Sequence, residues 1–158
     1  MSPEFAYLLA LGIGIVAGLR SLTAPAAVSW AAHAEWLDLS GSIFSFMGST
    51  TAVAIFSVLA AAEFVADLLP KTPRRTLPGP LAARVLSGGL SAACLVTSSD
   101  HSLLIGILLG GLGAVIGAYA GYETRRRAVA GLRVKDVMVA VPEDVVAIAL
   151  AYLIVSRF

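Results

Sequence analysis

Apolar residues in this chain come in long unbroken runs, and polar residues gather in a few short segments between them. A helix crossing the hydrocarbon of a bilayer needs about 20 mostly apolar residues, with a range of about 17–25. Five runs meet that length: Phe5–Leu22, which could continue past Pro25 to Trp30, then Thr50–Leu69, Leu81–Thr97, Leu103–Tyr122 and Val137–Val155. None has the polar outer face at helical period that an aqueous bundle would need. The pattern predicts an all-α polytopic transmembrane bundle of about five spans, forming one integral membrane domain over residues 1–158.

Composition points the same way. Of 158 residues, 58% are hydrophobic and 13% charged, and the mean hydropathy is +0.89. Soluble domains average roughly 45–50% apolar and about 25% charged. The N-terminus has no basic segment ahead of its apolar run and no clear cleavage site, so no removable signal peptide is expected. The single cysteine, Cys94, sits in an apolar run and reads as a small buried residue.

The connectors are "HAEWLDLSGSIFSFMGS", "PKTPRRTLPGP", "SSDHS" and "ETRRRAVAGLRVK". The first could hold a short interfacial helix with Trp30 and Trp36 at headgroup depth. Lys71, Arg74 and Arg75 follow the second span, and Arg125, Arg126, Arg127, Arg133 and Lys135 follow the fourth. With five spans these two connectors share one side. The excess of basic residues assigns that side to the cytoplasm, with the N-terminus inside and the C-terminus outside. Basic residues beside a span more often set topology or hold anionic headgroups than bind nucleic acid, and no nucleic-acid partner is expected.

Small residues suggest how the helices meet. In the fourth span Gly106, Gly110, Gly113, Gly117 and Gly121 recur every three or four residues and make one smooth face. Gly14 and Gly18 in the first span and Ser87 and Ser91 in the third offer matching faces, as close backbone approach in lipid requires. "GIVAGLRS" (Gly14–Ser21) also echoes "GAYAGYET" (Gly117–Thr124). Five alternating spans would run these segments in opposite directions, as in the inverted repeats of transporters.

The candidate chemistry lies in ionisable residues inside the spans: Arg20, Glu63, Asp67, Glu143 and Asp144, with Arg84 and Glu123 near the ends of theirs. A charged side chain at a helix centre costs about 2.5–3.5 kcal/mol on the insertion scale, so each is expected to face protein or water. Glu63 and Asp67 are four residues apart and therefore share a helix face. Glu143 and Asp144 follow Pro142, which can open a kink. By depth these acids and Arg84 could converge on one cavity, with Arg20 set before the helix-breaking "TAP" segment. One outcome is a buried network in which Arg84 meets Glu63 or Asp67 and Arg20 meets an acid of the last span. Four acids against two arginines, however, predict carboxylates that are protonated, hydrated or holding a cation.

No nucleophile elbow, phosphate-binding loop, dinucleotide glycine set or Cys/His zinc spacing occurs, so no catalytic residue and no cofactor are assigned. His33 and His101 read as surface histidines in connectors. Three roles fit the acids: a small transporter or channel for a cation or protons, a membrane enzyme acting on a phosphorylated lipid, and a scaffold. The enzyme would hold Mg²⁺ on carboxylates, with Arg74, Arg75 and Arg84 at the phosphate. Five spans leave little room for a pathway in one protomer, so a homo-oligomer joined through glycine faces is expected, with the lipid bilayer as the other partner.

Three blocks carry a resemblance: "AGLRSLTAPAAVSWAA" (Ala17–Ala32), "AEFVADLLPKTPRRTLPGPLAARVLSGGL" (Ala62–Leu90) and "GAVIGAYAGYETR" (Gly113–Arg125). With "PEDVVAIALAYLIVSR" in the last span, they resemble a bacterial membrane family catalogued as domain of unknown function 4126. This chain departs from the pattern at Leu68, where a Lys often stands. The resemblance implies a compact polytopic inner-membrane protein and brings no activity, substrate or catalytic residue. Arg20, Glu63, Asp67, Pro70 and Arg84 lie in the blocks that carry it.

Overall fold

The computed structural model describes residues 1–67, 76–132 and 136–158. The described residues form six α-helices and no strand: α1 (Pro3–Leu19), α2 (Thr23–His33), α3 (Thr50–Asp67), α4 (Pro78–Ser98), α5 (Leu103–Leu132) and α6 (Asp136–Val155). One 3₁₀ turn, Ser45–Gly48, precedes α3. Helices α3, α4, α5 and α6 are long and apolar enough to cross a membrane, and α1 is a shorter apolar helix of 17 residues. The chain is an integral membrane protein with a helical polytopic bundle.

Helix α1 is the centre of the bundle. Its buried positions Ala6, Leu9, Ala10, Ile13, Val16 and Ala17 recur at three- and four-residue spacing, and α4, α5 and α6 pack around it. Glycines set the distances. A Cβ at Gly14 would overlap the Gly110 carbonyl, one at Gly113 the Leu11 carbonyl, and one at Gly117 the Ile15 carbonyl. On the α4 side a Cβ at Gly88 would stand 2.7 Å from the Gly110 oxygen. Gly106 lies against Val96, and Gly121 is buried as well. The glycine face of α5 is thus consumed within the chain, between α1 and α4. It is not available as the joint of a dimer, because the backbones it brings together are already in contact.

These contacts also fix direction. Gly14 meets Gly110, Gly18 meets Ala114, and Tyr7 receives a hydrogen bond from the Ser102 N–H, so α1 and α5 run parallel. The echo of Gly14–Ser21 in Gly117–Thr124 therefore joins parallel segments and is not an inverted repeat. The expected alternation of five spans fails within the first apolar run, at the end of α1. Helix α1 ends at Leu19, the chain bends through Arg20–Leu22, and α2 runs back beside the C-terminal half of α6. Trp30 meets Ser57 and Trp36 stacks edge-on against Tyr152, at 6.0 Å between ring centroids. Segment 21–34 is thus a return helix and does not complete the first span. Helices α1, α3 and α5 point toward one end of the bundle and α2, α4 and α6 away from it. The C-terminal end of α6 reaches the middle of α1, with Ile154 beside Gly12. Helix α1 begins and α6 ends away from Arg20, because the 11-residue α2 adds a reversal too short to register as a span.

Helix α5 also outruns its expected end at Tyr122 by continuing to Leu132. Glu123 accepts from Arg126 (2.8 Å) and Arg127 (2.6 Å), pairs three and four residues apart that support another helical turn. What reads as a basic connector is in its first half helix.

Candidate functional site

The bend between α1 and α2 holds the charged groups. Arg20 has no exposed surface, and its guanidinium forms ion pairs with Asp67 of α3 and Asp144 of α6; its Nε also donates to Asp144 Oδ1 at 2.6 Å. The guanidinium carbon lies 5.2 Å from the centroid of the Phe64 ring, within cation–π reach. Arg20 is thus held by two carboxylates and an aromatic face from two other helices. Those helices, α3 and α6, do not pack against each other to any extent. At this end Arg20 ties them together.

Glu63 faces the start of α2. Its Oε1 accepts from the Ser21 N–H (2.9 Å) and Ser21 Oγ (2.7 Å), and its Oε2 accepts from the Leu22 N–H (2.9 Å). The first N–H groups of a helix have no partner within it, and the peptide dipoles favour negative charge there. No side chain at Leu22 can cap α2, so a carboxylate from α3 does so. Glu63→Ala is expected to cost about 2 kcal/mol, the upper range for a lost N-cap, and to lower the thermal midpoint in detergent. An unchanged midpoint would mean that α2 holds its start without the carboxylate.

Arg84 opens from α4 onto the same place. It donates from Nε to the Gly18 carbonyl (3.1 Å) and from Nη1 to the Pro80 carbonyl (3.2 Å), while Nη2 lies 3.8 Å from Glu63 Oε1. The Gly18 carbonyl is an orphan of the α1 C-terminus, so one arginine serves the helix break on one side and the acid that caps it on the other. Glu143 joins through Arg125, whose Nη1 is 3.6 Å from Glu143 Oε2 and 4.0 Å from Asp67 Oδ2. Pro142 precedes Glu143 inside α6 and cannot donate the backbone hydrogen bond expected one turn back.

All six candidate residues, Arg20, Glu63, Asp67, Arg84, Glu143 and Asp144, therefore converge at one end of the bundle. Glu123 does not join them, since its partners are on its own helix. The residue that charge counting overlooked is Arg125, assigned by its sequence context to a topology-setting connector. Its signal was present: Gly117, Gly121 and Arg125 are four residues apart, so Arg125 continues the glycine face that packs on α1. Among the described residues the cluster has four carboxylates and three guanidiniums, and the expected count of two arginines is corrected accordingly. Pro70, Lys71, Arg74, Arg75, Arg133 and Lys135 lie outside the described residues. The carboxylates are between 10% and 17% exposed, so the cluster is reachable from one side without being open to bulk water.

No group of three or more His, Cys, Asp or Glu among the described residues is placed to hold a metal ion, because arginines stand between the acids. His33 Nδ1 lies 2.9 Å from the Gly48 carbonyl oxygen, and His101 packs by Tyr7 with 5.9 Å between ring centroids, both far from the cluster. Cys94 is buried in α4.

Comparison with known proteins adds no activity. Neither the curated proteins nor the solved structures give a match. The model of the family described as domain of unknown function DUF4126 matches residues 7–156, nearly the whole chain, and the chain belongs to that family.

Proposed function

We propose that this protein is a small membrane transporter or channel whose carboxylate cluster at the α1–α2 bend takes up a proton or a cation. The observation that carries the reading is Arg20, fully buried and shared by Asp67 and Asp144 from two helices that otherwise do not pack together. A proton or cation arriving at either carboxylate competes with the guanidinium for it. The tie between α3 and α6 then loosens on one side while Arg20 keeps its other partner. Interrupted helices with charged groups at the interruption are how transporters place a site within the bilayer.

Arg125, Arg126 and Arg127 follow one another at the charged end of the bundle, and an excess of Lys and Arg marks the cytoplasmic face. In this reading the chain sits in the inner membrane with the cluster toward the cytoplasm and both termini outside. A homo-oligomer would complete the pathway through a surface other than the α5 glycine face.

The test is flux into liposomes under imposed H⁺, Na⁺ or K⁺ gradients, for the parent and for Asp67→Asn and Asp144→Asn. The expected result is flux above empty vesicles that each substitution reduces at least tenfold, with the folded peak retained on size exclusion. Parent vesicles as tight as empty ones to all three ions would sink the reading. Stoichiometric recovery of another membrane protein with the parent would then favour a scaffold.

A further inference from the structure

Below the Arg20 tie, α3 and α6 stand apart, and the space between them is an apolar groove of about 480 Å³. Its floor is α2, where Ala26, Ala27 and Ala31 present only methyl groups. Ser57 and Ala60 of α3 form one wall and Ile148 and Tyr152 of α6 the other. Phe64 lines the groove where it reaches the Arg20 tie.

We infer that this groove binds one acyl chain of a bilayer lipid, from the leaflet nearer Trp36 and Tyr152, with the chain end directed toward Phe64. Left empty, a space of this size would forfeit the van der Waals contacts of the side chains that line it. Water needs two to four polar partners, and away from the aromatic end the lining offers only the separate hydroxyls of Thr23 and Ser57. The Ser57 hydroxyl accepts the Trp30 indole N–H at 3.0 Å, and the other wall and floor positions named are aliphatic apart from Tyr152. The chain is an integral membrane protein, so the solvent at this depth is hydrocarbon. Trp30, Trp36 and Tyr152 lie toward the end of the groove away from Arg20, and amphipathic rings of this kind sit at headgroup level. That places the polar head of the lipid at the aromatic end and its chain along the alanines. A chain seated there props α3 away from α6 and touches the ring that packs on Arg20. The inference stands whether or not the protein transports anything.

Both tryptophans of the protein, Trp30 and Trp36, line the groove, so their fluorescence reports its occupancy. The experiment is titration of delipidated protein in detergent with phosphatidylcholine brominated on its acyl chains, reading loss of tryptophan emission. The expected curve has a saturable phase ending near one lipid per protein, followed by a shallow dependence on the bromine content of the micelle. Ala27→Phe should remove the saturable phase and leave the shallow one, and Ala26→Leu provides the same obstruction should the first variant fail to fold. A curve with no saturable phase in the parent, or one unchanged in a variant that folds, overturns the inference. So does a parent that runs as a dimer resistant to quenching and becomes a quenchable monomer on Ala27→Phe, since a second copy would then occupy the groove.

Discussion

Arg20→Ala is expected to abolish recovery of folded protein after heating in detergent. Removing one partner of a buried ion pair costs about 3–5 kcal/mol because the other is left buried and charged, and here two carboxylates lose the same partner. A domain's net stability is about 5–15 kcal/mol, so the loss is a large part of the whole. It also falls where α3 and α6 have little packing of their own, with the longer contacts of Arg125 to Asp67 and Glu143 as the other link between them. Arg20→Lys should be intermediate: one ammonium carries the charge but lacks the planar fork that spans two acids. The cause can be separated from mere loss of volume. If uncompensated charge is responsible, combining Arg20→Ala with Asp67→Asn and Asp144→Asn should recover part of the folded peak. Arg20→Ala with parental heat resistance would show that other groups neutralise both acids and that Arg20 is not the tie.

The second large effect is expected at Gly110, where α1, α4 and α5 meet. A side chain there would overlap the Gly88 carbonyl, and Gly14 already abuts the Gly110 oxygen from the other side. The obstacles are backbone atoms, which cannot swing away as the tip of a long side chain can. Gly110→Ala should cost about 1–3 kcal/mol as an overpacking substitution. Gly110→Leu should leave no monodisperse protein, since α1 or α4 must be displaced along its length. Gly79 is the control, with nothing within 4 Å of a Cβ built on it; Gly79→Ala should leave the thermal midpoint within a degree or two. A folded Gly110→Leu variant with the parental midpoint would mean that the α1–α4–α5 contact is looser than described.

Much of this was legible from residue order. Long apolar runs, carboxylates four apart and glycines at three- and four-residue spacing each follow from the period of a helix and the length needed to cross lipid. The convergence of Arg84 with Glu63 followed from the shortness of the connector between α3 and α4. Arg20 is one of two basic groups set among the span acids, and that was enough to suggest its pairing with an acid of the last span. The same reasoning failed at α2. Thr23–His33 continues an apolar stretch without a polar break, and hydropathy measures burial without direction, so a return helix and a prolonged span look alike. It failed at Arg125 for a related reason: three consecutive arginines read as a connector, although only the first points back along the glycine face.

Residue order alone therefore establishes that the chain is an integral membrane protein of apolar helices, which faces are smooth, and which ionisable groups lie too deep to face lipid. Those properties belong to single helices and are set by composition and period. Only the tertiary structure decided that the chain turns back at Arg20, that α1 and α5 run parallel, and that Arg125 belongs with the acids. It also decided that one guanidinium joins two helices with a groove beneath it. Direction and partner choice depend on how close two backbones can come, and in this protein that is settled where Gly14, Gly88 and Gly110 meet.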